Sequence, residues 1–117
     1  GAGMNRQAQI DRLLRRYGDL VEIRQKGDLL QVNAWIQPLR YKNKMYLGGT
    51  YLPDGYWDGG HFLYIGPADV RLDEMPPDTL LYRQGRCFCI QRAEPIGFAN
   101  EVLYLWAILQ TCEEGEP

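Results

Sequence analysis

The stretch from Asp19 to Ile36, DLVEIRQKGDLLQVNAWI, decides the fold. Val21 and Ile23 alternate with Glu22 and Arg24 in its first arm, and Leu30, Val32, Ala34 and Ile36 alternate with Gln31, Asn33 and Trp35 in its second. Successive side chains of a strand point to opposite faces, so a period of two in both arms predicts two strands that share an apolar face. Gly27-Asp28 between them supplies a two-residue hairpin turn with glycine at its first central position. Pro38 ends the second arm or marks a sheet edge, since it has no N–H to give a ladder.

Upstream of the hairpin the period changes. Ile10, Leu13, Leu14 and Tyr17 fall at i, i+3, i+4 and i+7, the apolar stripe of a helix over 5–17. Asn5 is a candidate N-cap, Arg12, Arg15 and Arg16 crowd the last turns where cations complement the helix dipole, and Gly18 is the expected stop.

Downstream, Met45-Tyr46-Leu47 predicts a short strand, and residues 48–60 alternate turn formers with Tyr51, Tyr56 and Trp57. The simplest reading there is one short hairpin turning at Pro53-Asp54-Gly55. His61 to Ile65 reads as a buried strand stopped by Gly66-Pro67, and 67–78 as an acidic, proline-rich connection exposed to solvent. Leu80 to Tyr82, a turn at Gln84-Gly85 and Arg86 to Arg92 make a further hairpin; 95–100 reads as a loop. Val102 to Leu109 is apolar throughout and is expected to be a central strand covered on both faces. One helix and six to seven short strands predict a mainly β domain over residues 4–112, a small antiparallel β-barrel or sandwich with the N-terminal α-helix against it. Gly1-Ala2-Gly3 before Met4 reads as a cloning remnant and 113–117 as an acidic disordered tail.

Composition narrows the function. The 117 residues carry a formal net charge of −2, which gives no general reason to bind nucleic acid or a membrane, and no apolar run has transmembrane length. There is no serine, so one class of nucleophile is absent. His61 is the sole histidine and reads as a rim residue beside a glycine pair. Cys87, Cys89 and Cys112 make an odd count without a zinc-site spacing; they read as small apolar strand residues of a reduced, cytoplasmic protein. Cys87 and Cys89, two apart on one strand, point the same way and cannot bridge each other. A Cys–His nucleophile pair has no local support. No enzyme activity, cofactor or metal is expected. What stands out is large aromatic side chains on a glycine-rich segment, which mark contact surfaces more often than cores.

The segment Trp35-Ile36-Gln37-Pro38-Leu39-Arg40-Tyr41-Lys42-Asn43-Lys44-Met45-Tyr46, followed by Leu52-Pro53-Asp54-Gly55-Tyr56, Tyr64-Ile65-Gly66-Pro67 and Tyr104 to Leu109, resembles the XkdH-type family of PBSX-like prophages. That resemblance implies a head-tail connector: a stopper or head-completion subunit of a phage neck. Such a subunit assembles as a ring between portal-adaptor and tail proteins, with double-stranded DNA passing through. It further implies assembly in the bacterial cytoplasm and residence in the neck of a virion or phage-like particle, away from membranes. On this view Tyr51, Asp54, Tyr56, Trp57 and Asp58 form an interaction loop, and Arg12, Arg15 and Arg16 meet a neighbouring ring or DNA phosphate. A tail terminator or tail-completion protein is the alternative from the same gene block. A nucleic-acid-binding barrel that stacks bases on aromatics is a third, disfavoured by the acidic balance.

Overall fold

Residues 6–40, 46–47, 50–51 and 57–112 are described by a computed structural model. Helix α1 (Arg6–Tyr17) is followed by strands β1 (Asp19–Gln25), β2 (Asp28–Arg40), β3 (Tyr46–Leu47), β4 (Thr50–Tyr51) and β5 (Trp57–Pro67). A 3-10 turn (Leu72–Glu74) precedes β6 (Leu80–Arg83), β7 (Arg86–Phe98) and β8 (Glu101–Cys112). Six strands close into an antiparallel barrel in the order β1-β2-β5-β8-β7-β6, while β3 and β4 pair with each other. The expected mainly β architecture is therefore a closed barrel rather than a sandwich.

Alternation fills the barrel. Val21 and Ile23 of β1, Val32, Ala34 and Ile36 of β2, Phe62 and Tyr64 of β5, Leu81 of β6, Phe88 of β7, and Leu105, Ala107 and Leu109 of β8 all point inward and are buried. Phe62 and Phe88 meet edge to face with centroids 4.9 Å apart. Leu72 joins this core from the 3-10 turn, and Thr79 is fully buried. The acidic connection is thus not a wholly solvated loop: one leucine anchors it, worth about 2 kcal/mol in buried apolar surface. Arg71 holds its outer side together through paired hydrogen bonds to Asp73 at 2.7 and 2.9 Å.

Turn positions and strand ends depart from expectation in instructive ways. Gln25 faces Asp28, so the first turn is Lys26-Gly27, not Gly27-Asp28. Both registers keep the apolar faces together; what selects this one is the left-handed φ of 78° at Gly27, which glycine adopts without strain. Tyr46 pairs with Tyr51 and Leu47 with Thr50, so both strands of that hairpin precede Pro53-Asp54-Gly55. Gly66 does not stop β5: it lies in the strand opposite Leu105, and Pro67 opposite Tyr104. Likewise β7 runs through Pro95 to Phe98, and the turn is Ala99-Asn100, both at positive φ, as in Gln84-Gly85. Pro38, Pro67 and Pro95 each stand where pairing on one side of their strand has ended, with β1 after Ala34, with β2 after Ile65 and with β6 after Cys89, so a missing N–H breaks no ladder.

Strand β8 lies between β5 and β7, but only its inner face is buried; Tyr104, Trp106 and Ile108 on the outer face are half-exposed. Where β1 leaves β2, Arg83 from the end of β6 donates a hydrogen bond to the Ile36 carbonyl and lies 3.7 Å from Asp19. Closure of the barrel between β1 and β6 rests on just three paired positions, Glu22–Tyr82, Ile23–Leu81 and Arg24–Leu80.

Candidate protein-binding groove

The helix stripe read from the sequence is incompletely covered. Leu14 is buried, whereas Leu13 is 54% and Tyr17 69% exposed. Gln7 Nε2 ties the start of the helix to β8 by donating to the Val102 carbonyl at 3.0 Å, and the Gly18 N–H closes the last helical turn by donating to the Leu14 carbonyl at 2.8 Å. A Cβ at Gly18 would lie 2.6 Å from the Leu14 oxygen and 2.8 Å from that of Ala34, so only glycine lets the helix turn this tightly into β1.

The same alternation that fills the barrel sends Trp35, Ile65 and Tyr104 outward. Trp35 pairs directly with Ile65, and Ile65 with Trp106, which makes a cross-strand row of large apolar side chains. Ile10, Leu13 and Tyr17 line one side of a groove, and Trp35, Ile65 and Tyr104 the other, around a volume of about 550 Å³. Trp35 is 52% exposed and neighbouring Leu20 58%. Contiguous exposed apolar surface of this kind marks an interaction site. The sequence carries this groove as two separate signals: a helix stripe wider than one buried leucine, and aromatics at the outward positions of the strands.

Arg12, Arg15 and Arg16 of α1 are all exposed and, at i, i+3 and i+4, share the helix face turned away from the apolar stripe. Arg16 lies over the Tyr17 ring at 5.5 Å, beside the groove. Arg15 instead lines a polar recess with Asp11 and Asp69. Burial and the Asp69 carboxylate push the Asp11 carboxyl above the usual range, against the opposing pull of Arg15. Of the expected interaction loop, Asp54 and Tyr56 lie outside the described residues; Tyr51 closes β4, and Trp57 and Asp58 open β5, with Trp57 paired to Arg40 along the backbone. Asn5, residues 1–3 and the tail 113–117 also lie outside the described residues.

His61 and Cys89 both face Gln110, one from β5 and the other from β7. With a strand between them they sit roughly 10 Å apart at the backbone, beyond hydrogen-bond reach of each other. Cys87 is the surprise. It stands directly opposite Cys112, with the two sulfurs 2.8 Å apart. Had the turn been placed at Ala99-Asn100, counting back equally along both arms would have paired these cysteines, because two register shifts in this hairpin cancel. Among the described residues no group of three or more His, Cys, Asp or Glu side chains is placed to hold a metal, and no helix is long and apolar enough to cross a membrane.

Comparison of the chain with protein-family models, with curated proteins and with solved structures finds no match in any of the three.

Proposed function

We propose that this barrel is a structural subunit of a phage or phage-like particle neck, a connector or stopper that assembles as a ring between portal-adaptor and tail and acts by binding, without catalysis. The observation that carries the reading is the apolar groove between α1 and the outer row Trp35–Ile65, left uncovered by the described residues. Resemblance of the middle segments to a neck-protein family supports the same reading.

The groove's occupant in this proposal is a neighbouring copy of the chain. Ring closure needs two different patches, one concave and one projecting, that meet head to tail. Leu29, 58% exposed beside the first hairpin turn at the far end of β2 from the groove's Trp35, supplies the projecting side chain. Such a contact is weak between free monomers and strengthens on a preformed template through multivalency. Arg16, over the Tyr17 ring, stands beside the groove where it would face a neighbouring ring or a DNA phosphate.

Light scattering behind size exclusion tests this, with the chain alone and mixed with the portal–adaptor complex of its own gene block. The expected result is incorporation at a constant ring stoichiometry, lost in Tyr17→Glu and in Leu29→Glu, both of which change exposed side chains and leave the barrel folded. Incorporation into tail tubes instead would favour the tail-terminator alternative. Binding to neither, with salt-dependent affinity for single-stranded DNA, would replace the proposal by a nucleic-acid-binding one.

A further inference from the structure

Cys87 and Cys112 are directly opposed on neighbouring antiparallel strands, with sulfurs 2.8 Å apart, and both are free thiols. Opposed residues in such a pair have Cα atoms about 4.5 to 5.5 Å apart, within the range of about 4.4 to 6.8 Å that a disulfide spans. Phe88, between Cys87 and Cys89, points into the barrel, so both cysteines point outward; the Cys89 side chain also comes near Cys112, but its backbone pairs with Gln110, and Cys87 alone is directly opposed to Cys112. Cys87 is buried, whereas Cys112 is half-buried and reachable from solvent.

We infer that Cys87 and Cys112 form a thiol–disulfide redox site, which a small-molecule disulfide of the oxidised-glutathione class converts to an intramolecular bridge across the last hairpin. In the first step the Cys112 thiolate attacks one sulfur of the small disulfide. Its S–S bond breaks, a mixed disulfide forms on Cys112, and one small thiolate leaves. Cys87 then gives up its proton and attacks the Cys112 sulfur; the Cys87–Cys112 bond forms and the second small thiolate leaves. Two protein thiols lose two electrons, the small disulfide gains them, and the two released protons go to its thiolates.

Burial, with the Cys87 sulfur alongside, pushes the Cys112 thiol up to about 12. Thiolate is therefore scarce at neutral pH, and oxidation is slow there and accelerates as pH rises. Once formed, the bridge ties together strands whose cysteines are 25 residues apart in the chain and constrains the unfolded state.

The experiment incubates the full chain with excess oxidised glutathione at mildly alkaline pH, traps remaining thiols with an alkylating agent and reads intact mass. One alkylated cysteine is expected, with no glutathione retained. Cys87 and Cys89 share the tryptic peptide 87–92, so the bridge is assigned in variants. Cys89→Ala should still close it, while Cys87→Ala should keep one glutathione on Cys112. The oxidised chain should melt roughly 10 °C above the reduced one, and oxidation should quicken steadily with pH. Three alkylated cysteines, a bridge that includes Cys89, or a stable glutathione adduct on wild-type Cys112 would each overturn the inference.

Discussion

Replacing Gly66 by alanine places a methyl group inside the Tyr64 ring. A Cβ at that position would lie 2.1 Å from the Tyr64 hydroxyl oxygen, 2.4 Å from Cζ and 2.7 Å from Cε1. Relief by moving the ring is closed off, because Tyr64 is fully buried in the barrel core, and so is Leu105 opposite Gly66. Overpacking a well-filled core costs about 1 to 3 kcal/mol, and alanine returns only about 0.5 to 1 kcal/mol of backbone entropy in a strand. Three contacts this close, the nearest at 2.1 Å, put the overpacking above that usual range, so the net cost is about 3 kcal/mol. With a urea dependence of about 1.5 kcal/mol per M, the unfolding midpoint of Gly66→Ala should fall by about 2 M. The control is the same change in a Tyr64→Leu background, where the ring is gone and alanine should cost nothing or stabilise slightly. The two costs therefore differ by about 3 kcal/mol, a coupling confined to residues in contact. Equal costs in both backgrounds, or a loss below about 1 kcal/mol in the wild type, would refute the argument that Gly66 is there to make room for Tyr64.

Asp11 gives a pH test. Its carboxyl titrates above the usual range in the folded chain because of burial first and Asp69 second. The folded state thus holds the proton more tightly, so this group's contribution to stability falls as pH rises through the window between the ordinary and the raised value, and stays lower above it. Asp11→Asn should raise the melting temperature at neutral pH and remove that decline; a lower neutral-pH melting temperature would mean that Arg15 dominates the site. Arg83→Ala should cost about 2 kcal/mol, since it removes a charged donor from the Ile36 carbonyl. That cost should persist in about 1 M salt, where exposed ion pairs are screened; its disappearance there would assign it to Asp19 instead.

Helix α1, the first hairpin and the Gln84-Gly85 hairpin were legible because each rests on local rules, a period of 3.6 or of two bounded by turn formers. The misread boundaries share one cause. Proline and glycine act as punctuation only when both sides of a strand are paired, and pairing is a property of the closed barrel that no local window contains. Pro67 and Pro95 read locally as strand ends, yet each lies where pairing on one side of its strand has already stopped. Gly66 was read as a breaker, though its reason is the ring of a residue two positions away on the same face. The groove was half legible. Its helix stripe and its outward aromatics were visible, but their meeting depends on where α1 lies across β2, β5 and β8. The opposition of Cys87 and Cys112 depended on one turn, and it was lost when 95–100 was read as a loop.

The three-position ladder between β1 and β6 governs how the molecule comes together and apart. The hairpins β1–β2, β6–β7 and β7–β8 form from neighbours in sequence, whereas this seam joins the two halves of the chain and has the fewest paired positions of the barrel's ladders. A short ladder between distant parts of the chain is expected to zip last during folding and unlatch first in the native state, so its amides should exchange with solvent ahead of those in β8. An unlatched barrel is a curled sheet with two bare edges, and a closed barrel has none. Two molecules caught open together can trade strands across those edges, which makes the seam the point where crowding and heat turn monomers into swapped dimers.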